Sequence, residues 1–286
     1  MRLAPSVVPV ALLLLAMASF QAGASVAKTM FPLVGPVGMV TVRIVLGTAI
    51  LALTLKPWRA RIAPESRQAL IVYGISLGLM NLSFYSALNR IPLGITVALE
   101  FTGPLAVAVL TSRRALDFCW ALLAAGGLVL LLPVGQLSNA IDPIGILYAL
   151  AAGFWWALYI IYGRRAGADH GAQTVALGSV ISTIIVAPIG LATAGAHLFT
   201  RSILLPGLAV AVLSTALPYT LEMIALTRIP ARTYGILASA DPALAAVFGL
   251  LYLHERLSGL QWTAIALIIV ASIGTTTSPS KVPIPG

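Results

Sequence analysis

One apolar segment with a carboxylate near its centre dominates the sequence: residues 91–110 read IPLGITVALEFTGPLAVAVL. A helix needs about 20 mostly apolar residues to cross the hydrocarbon core of a bilayer, and this segment is long enough. Glu100 lies near its middle, and Pro104 has no backbone N–H, which leaves the carbonyl oxygen of Glu100 without its usual helical partner. Polar groups persist at this depth only where they face protein or water. The segment therefore predicts a helix that forms the wall of a polar cavity inside a membrane protein.

The composition is that of an integral membrane protein. Of the 286 residues, 59% are hydrophobic and 9% are charged, whereas a soluble domain carries about 25% charged residues. The net charge of +9 does not indicate nucleic-acid binding, because the basic residues cluster in short loops between apolar runs, where they orient a chain in the membrane. The one cysteine, Cys119, lies in an apolar run and is interpreted as a packing residue. We expect a lipid bilayer, and no nucleic acid, as the partner of this chain.

Ten apolar runs with short connections predict an all-α polytopic membrane protein with ten transmembrane helices. The runs cover about residues 7–27, 38–55, 69–88, 93–111, 117–132, 143–162, 174–194, 208–226, 233–253 and 260–276. The first run, which follows Arg2 and includes the small residues Ala-Gly-Ala at 22–24, imitates a secretory signal peptide. We interpret it as a retained span, because its removal would leave nine spans and would break the repeat that follows.

The chain repeats itself at an offset of 138 residues. Residues 87–92 (ALNRIP) recur as ALTRIP at 225–230, with five of six positions identical, and Pro104 falls on Pro242. A chance likeness of two apolar segments is the alternative. Five spans per copy is an odd number, so the second copy enters the membrane in the opposite orientation, a common plan of secondary transporters. The sequence thus predicts two inverted five-helix repeats, residues 1–138 and 139–286.

The distribution of basic residues predicts the orientation of the chain. If the N-terminus is cytoplasmic, twelve lysines and arginines fall on the cytoplasmic side and four on the other, with Arg43 inside a span. Short cytoplasmic loops carry the excess of basic residues in membrane proteins. Both termini are therefore predicted to be cytoplasmic.

Four ionisable residues lie within the predicted spans: Arg43, Glu100, Glu222 and Asp241. Arg43 and Glu100 lie at similar depths and are predicted to approach each other, because a buried charge without a partner costs about 3–5 kcal/mol. Such a pair could lock two helices together, or it could bind a zwitterionic substrate, since the planar guanidinium suits a carboxylate. Glu222 and Asp241 lie nearer the cytoplasmic side and are predicted to carry a proton. Capping of a helix end or exposure to loop water is the alternative for either carboxyl group.

Pro218 predicts a second irregular helix, because it frees the carbonyl oxygen of Ser214. Polar and aromatic side chains on several spans are candidates to face a small polar ligand, although packing or a place at the membrane interface would also explain each of them. These candidates are Gln21, Asn81, Tyr85, Trp155, Trp156, Tyr159 and Tyr219.

Motifs of soluble enzyme chemistry are missing from the sequence. It contains no H-E-x-x-H, no Walker loop and no G-x-S-x-G. The three histidines, His170, His197 and His254, lie in loops or at span ends. We expect no enzymatic activity, no cofactor and no metal site.

Several stretches resemble one transporter group. They are residues 16–28 (AMASFQAGASVAK), 31–35 (FPLVG), 92–108, 213–230 and 242–247 (PALAAV). They resemble the drug/metabolite transporter superfamily with two EamA-type repeats, and more closely its threonine/homoserine exporters of bacterial inner membranes. The resemblance implies ten helices in an inverted five-plus-five arrangement, and export of small amino acids against proton entry. Where such exporters often show Glu-Pro-Ala, this chain has Asp241-Pro242-Ala243, whose carboxylate is one methylene shorter.

These observations predict a secondary transporter of the inner membrane that exports threonine, homoserine or a similar small zwitterion by alternating access. Arg43 and Glu100 would orient the substrate together with Asn81, Tyr85, Trp155, Tyr159 and Tyr219, and Asp241 with Glu222 would carry the proton. A broader metabolite or drug exporter is the nearest alternative. An intramembrane enzyme acting on lipids and a structural membrane subunit are further alternatives, and no oligomeric state is predicted.

Overall fold

The computed structural model describes residues 7–60, 62, 64–110, 115–131, 142–170, 173–226 and 238–277, and all regular structure within these residues is helical. Twelve α-helices follow one another in this part of the chain. They are α1 (Val7–Thr29), α2 (Phe31–Leu55), α3 (Pro64–Leu88), α4 (Leu93–Glu100), α5 (Thr102–Leu110), α6 (Ala115–Leu131), α7 (Pro143–His170), α8 (Gln173–Ala194), α9 (Arg201–Ala211), α10 (Leu217–Leu226), α11 (Asp241–Leu253) and α12 (Gly259–Thr277).

Six helices among the described residues are long and apolar enough to cross a membrane by length and composition. They cover Val8–Thr29, Phe31–Leu55, Pro64–Leu88, Pro143–Gly167, Gln173–Ala194 and Arg201–Glu222. Four shorter apolar helices cover Leu93–Val107, Phe118–Gly127, Asp241–Leu253 and Gly259–Ala271. The prediction of an all-helical membrane protein is confirmed. The count of ten spans, the inverted repeats and the division at residue 138 stay predictions, and the predicted span ends at 111, 132 and 233 lie outside the described residues.

Prolines and a glycine interrupt the long helices. Each proline removes a backbone N–H donor, and the glycine allows the backbone to turn sharply. α4 ends at Glu100 and α5 begins at Thr102, close before Pro104, as the sequence predicts. α9 and α10 are separated by a π-helical turn, Val212–Ala216, ahead of Pro218. α2 is kinked at Gly35, which has a φ of 69° and precedes Pro36; an L side chain rarely adopts this conformation. Two of these three irregular segments border the candidate site.

The helices surround a common interior. α3 packs along α7 and α8, α2 packs on α8, and α6 packs on α12. α1 packs against both the π-helical turn and α11, and α4 packs against α7 and α11. The interior contains large fully buried side chains such as Met39, Phe84 and Leu88. This arrangement places residues of α1 and of both broken helices around one cavity.

Candidate functional site

A cavity of about 110 Å³ lies between α1, α3, α4, α7, α10 and α11. Its walls are mostly apolar and aromatic, but three carboxyl-bearing side chains, Glu100, Glu222 and Asp241, contribute to them. The other lining residues are Leu13, Ala16, Met17, Phe20, Met80, Val97, Phe101, Trp156, Tyr159, Pro218, Tyr219 and Ala238. Three of the four ionisable residues singled out from the sequence therefore meet at one cavity.

Glu100 is buried at the break between α4 and α5. Its backbone approaches α7 closely, because two glycines face each other at this contact. A Cβ atom at Gly153 would lie 2.7 Å from the carbonyl oxygen of Glu100, and a Cβ at Gly103 would overlap the carbonyl group of Gly153. The absence of side chains at these positions lets the broken helix lie directly on α7, which fixes the depth of Glu100 in the cavity wall.

Asp241 begins α11, where the positive end of the helix dipole favours a negative charge. Its Oδ1 atom accepts a hydrogen bond of 2.9 Å from Nε2 of Gln21 on α1. Gln21 is fully buried. From the sequence, Gln21 is one of several candidates to face a ligand, and in the structure Asp241 is its specific partner.

Arg43 is almost completely buried, with 1% of its surface exposed. Its guanidinium donates to Oδ1 of Asn81 on α3 and, over 3.3 Å, to the backbone carbonyl oxygen of Ser214. Its Cζ atom lies 5.0 Å from the ring centroid of Tyr85 and 5.7 Å from that of Phe20. Neutral acceptors and two aromatic faces thus surround the charge.

The sequence predicts that Arg43 and Glu100 approach each other, but no salt bridge joins them in the described structure. Among the described residues Arg43 makes no ion pair, and Glu100 lines the cavity from the opposite helix break. An ion pair that locks the two helices together is therefore not formed, and the approach of the two residues stays a prediction. An amide oxygen, a freed carbonyl and aromatic rings contact the guanidinium instead, while its buried Nε has no hydrogen-bond partner among the described residues.

Pro218 explains why backbone carbonyls are available to side chains. Leu217 N–H bonds to the carbonyl of Val212 in the π-helical turn, and Pro218 has no N–H to give to Leu213 or Ser214. Ser19 Oγ donates to the Leu213 carbonyl over 2.7 Å, while Arg43 donates to that of Ser214. The predicted second irregular helix, with a freed carbonyl at Ser214, is confirmed.

A second, smaller cleft of about 10 Å³ lies beside Arg43. Its lining residues are Arg43, Ile44, Thr48, Leu77, Asn81, Ser179, Ser182, Thr215 and Tyr219. The hydroxyl oxygens of Ser179, Ser182 and Thr215 are buried and have no hydrogen-bond partner within the described ranges. Such groups suit a water molecule or a polar ligand atom. Tyr219 lines both spaces, so it stands between the carboxyl-bearing cavity and the arginine cleft.

The aromatic candidates divide into two groups. Trp156 and Tyr159 line the cavity, where Trp156 packs edge-on against Phe101 and Tyr159 stacks on Tyr73. Tyr85 and Trp155 do not line either space in the described structure: Tyr85 is fully buried under Arg43, and Trp155 packs against Phe154. A role in substrate binding stays a prediction for all the candidates.

Comparison with known proteins identifies the group to which this structure belongs. A model of the EamA-like transporter family matches residues 143–277. The threonine/homoserine exporter RhtA of Salmonella typhimurium strain LT2 is 55% identical over 282 residues, which cover 99% of this chain and 96% of that protein. The exporter of the same name from Escherichia coli K12 is 54% identical over 281 residues, or 98% and 95% of the two chains. The chain belongs to the EamA-like transporter family.

Further relatives agree with this membership. The uncharacterized transporter YwfM of Bacillus subtilis is 28% identical over 142 residues, about half of each chain. One solved crystal structure that is 20% identical superposes with a TM-score of 0.64 and covers 92% of this chain and 96% of its own, which shows a shared fold. This EamA-like protein is a multi-pass membrane transporter and not an enzyme, so the lipid-modifying alternative is set aside.

Proposed function

We propose that this EamA-like transporter exports threonine, homoserine and similar small amino acids across the inner membrane in exchange for protons. The observation that carries the proposal is the identity of 54–55% with proteins named threonine/homoserine exporter, over nearly the whole of both chains. We further propose ten spans in two inverted five-helix repeats, alternating access, and both termini in the cytoplasm. The basic-residue count and the internal repeat support these finer points.

The distribution of charge around the two spaces supports a specific orientation of the substrate. An ammonium group is attracted to the cavity, because Glu100, Glu222 and Asp241 all contribute to its walls. A carboxylate is attracted to the cleft beside Arg43, where buried hydroxyl groups can also donate to it. A small zwitterion would lie across Tyr219, with its two charged ends pointing into different spaces, although the cleft must widen beyond its present volume to admit the carboxylate.

Proton coupling follows from competition at the carboxyl groups. Three carboxyl groups lining one largely apolar cavity repel one another, so positive charge that enters the cavity stabilises their ionised forms. An ammonium group can supply that positive charge, and protons can relieve the same repulsion by neutralising the carboxylates. Release of substrate on one side would then favour protonation, and return of the protons to the other side would prepare the site for the next substrate.

Efflux from loaded proteoliposomes tests the proposal. The wild-type protein should export labelled threonine or homoserine faster when a pH gradient drives protons inward. Asp241→Asn and Glu222→Gln should lose the stimulation by the gradient, while Glu65→Gln, which changes an exposed carboxylate at the start of α3, should keep it. Absence of threonine and homoserine efflux from well-folded wild-type protein would contradict the assigned substrates.

A broader substrate range is the second candidate. The aromatic side chains of Phe101, Trp156, Tyr159 and Tyr219 line the same cavity and can pack against a larger apolar group. A panel of amino acids and amines in the same efflux experiment separates the two candidates. Export of bulky amines at the rate of threonine would favour the broader exporter.

A further inference from the structure

Gln21 is buried behind the cavity and touches one of its three carboxyl groups. Its Nε2 atom donates to Asp241 Oδ1 over 2.9 Å, and none of the Gln21 side chain is exposed. It is absent from the cavity lining, whereas Asp241 is part of it. Gln21 therefore contacts Asp241 from the protein side, and substrate or water would reach Asp241 from the other.

The second polar atom of the same amide has no partner. Oε1 of Gln21 is buried and accepts no hydrogen bond from the residues that the structure describes. A buried acceptor left in this way is unfavourable, so its presence beside a titratable group needs an explanation. A protonated carboxyl group provides one, because it carries an O–H that can donate to an amide oxygen.

The chemistry of an amide fits both protonation states of a carboxyl group. The NH₂ half donates to an ionised carboxylate, and the oxygen accepts from a protonated one. Rotation by half a turn about the last side-chain bond exchanges the two halves without moving the backbone. We infer that Gln21 is a positioning residue that holds the Asp241 carboxyl group towards the cavity in both its ionised and its protonated form.

Apolar packing keeps Gln21 and Asp241 close together in both protonation states of the Asp241 carboxyl group. Leu13 and Met17 on α1 form an apolar cluster with Ala240 and Leu244 next to Asp241. Gln21 follows Met17 by four residues, about one helical turn, and so lies on the same face of α1. This contact lets the amide adjust its hydrogen bond with little movement of the helices.

The other titratable groups around Asp241 come from neighbouring helices. Glu100 on α4, Tyr159 on α7, and Tyr219 and Glu222 on α10 line the same cavity. On α1 the one ionisable side chain is Lys28, which pairs with Glu255 at the far end, and α12 has none. Gln21 is thus an uncharged neighbour of a carboxyl cluster. Replacing it with another uncharged residue changes the hydrogen bonding of Asp241 without changing the charge around it.

The inference rests on the proposed proton coupling and is tested in proteoliposomes loaded with labelled threonine. Gln21→Met keeps the length of the side chain and removes both hydrogen-bonding atoms. We expect the external pH at which gradient-driven efflux is half-maximal to rise by about one unit, because the bond lost by the ionised carboxylate is stronger than the one lost by the protonated form, and the difference between a charged and a neutral hydrogen bond is of this size. Threonine exchange at equal pH on both sides should be retained.

Two further variants keep the experiment decisive. Ser25→Ala removes a buried hydroxyl one turn along α1 that bonds to the Gln21 carbonyl within the same helix, and it should leave the pH profile unchanged. Gln21→Asn keeps the amide but withdraws it by one methylene, so it should reproduce the shift if Gln21→Met folds poorly.

The possible outcomes distinguish this inference from the proposed function. A pH profile in Gln21→Met like that of the wild type, or an equal loss of gradient-driven efflux and exchange with an unchanged profile, would overturn the positioning role alone. Wild-type efflux that ignores the pH gradient would overturn proton coupling itself, and the role of Gln21 with it.

Discussion

Lys28 Nζ at the end of α1 lies 2.6 Å from Oε1 of Glu255, just after α11. The other carboxylate oxygen of Glu255 accepts a bond of 2.8 Å from the backbone N–H of Leu93, the first residue of α4, and Lys28 also donates to the carbonyl of Ile91. One ion pair thereby joins the ends of α1 and α11 to the start of α4. The proposed orientation places this junction on the external side, where alternating access requires the helices to separate.

Locking this junction should stop transport. Lys28→Cys and Glu255→Cys are introduced together into a Cys119→Ala background and joined by a short reducible cross-linker. The cross-link should abolish efflux, because the ends of α1 and α11 can no longer separate. Reduction of the linker should restore it. Each single cysteine treated with the same reagent serves as the control. Full efflux from the cross-linked protein would show that this end does not open.

The guanidinium of Arg43 should depend on Asn81 for its stability. Asn81→Leu removes a buried acceptor of the charge and should lower the free energy of unfolding by about 1.5–3 kcal/mol, the range for hydrogen bonds to charged groups. Asn81→Asp offers an ionic partner and should be less destabilising. Thermal unfolding in detergent measures both. Equal unfolding temperatures for Asn81→Leu and the wild type would contradict the dependence.

Gly153 should tolerate no side chain. Gly153→Ala would place a Cβ 2.7 Å from the Glu100 carbonyl oxygen, so it should push the α4–α5 break away from α7 and destabilise the protein by about 1–3 kcal/mol. Efflux should fall with it, because Glu100 moves in the cavity wall. Gly126→Ala is the matched control, since a Cβ there meets nothing within 4 Å. Similar efflux and stability for the two variants would contradict the role of this contact.

The ion pair between Arg90 and Asp142 should make the stability of the folded protein depend on pH. Hydrogen bonds from Arg90 Nη1, over 2.7 Å, and from the backbone N–H of Ile144 lower the pKa of Asp142 below its usual value. Its contribution is therefore complete above the ordinary pKa of an aspartate and is lost as the pH falls through the lowered pKa in the folded protein.

Removing the Asp142 carboxylate should accordingly remove part of this acid dependence. Asp142→Asn should unfold at a lower temperature than the wild type at neutral pH, and the difference should vanish in strongly acidic solution. The effect should be small because both side chains are partly exposed to solvent. Unfolding temperatures against pH, with Glu65→Gln as a control, measure it. A constant difference at every pH would contradict this account.

The sequence predicted the features of the site that depend on local chemistry. Pro104 and Pro218 each remove a backbone N–H, so the breaks near Glu100 and Ser214 follow from the residues alone. The cost of burying a carboxylate likewise indicated that these groups face a cavity, and Glu100, Glu222 and Asp241 all line one, although most of its walls are apolar.

The contacts between helices could not be predicted in the same way. Whether Arg43 meets Asn81 or Glu100, and whether Gln21 meets Asp241, depends on how each helix is rotated about its axis. The apolar runs are hydrophobic on nearly all sides, so they contain little information about rotation. The rotation is set by close contacts such as that of Gly103 with Gly153, which appear only in three dimensions.

The π-helical turn at Val212–Ala216 places one additional residue in the middle of a long helix. Because each residue of an α-helix turns the chain by about 100°, deleting one residue there would rotate Tyr219 and Glu222 by about that angle relative to the cavity that they line. Gain or loss of one residue in this turn should therefore impair transport more than the exchange of any single side chain within it.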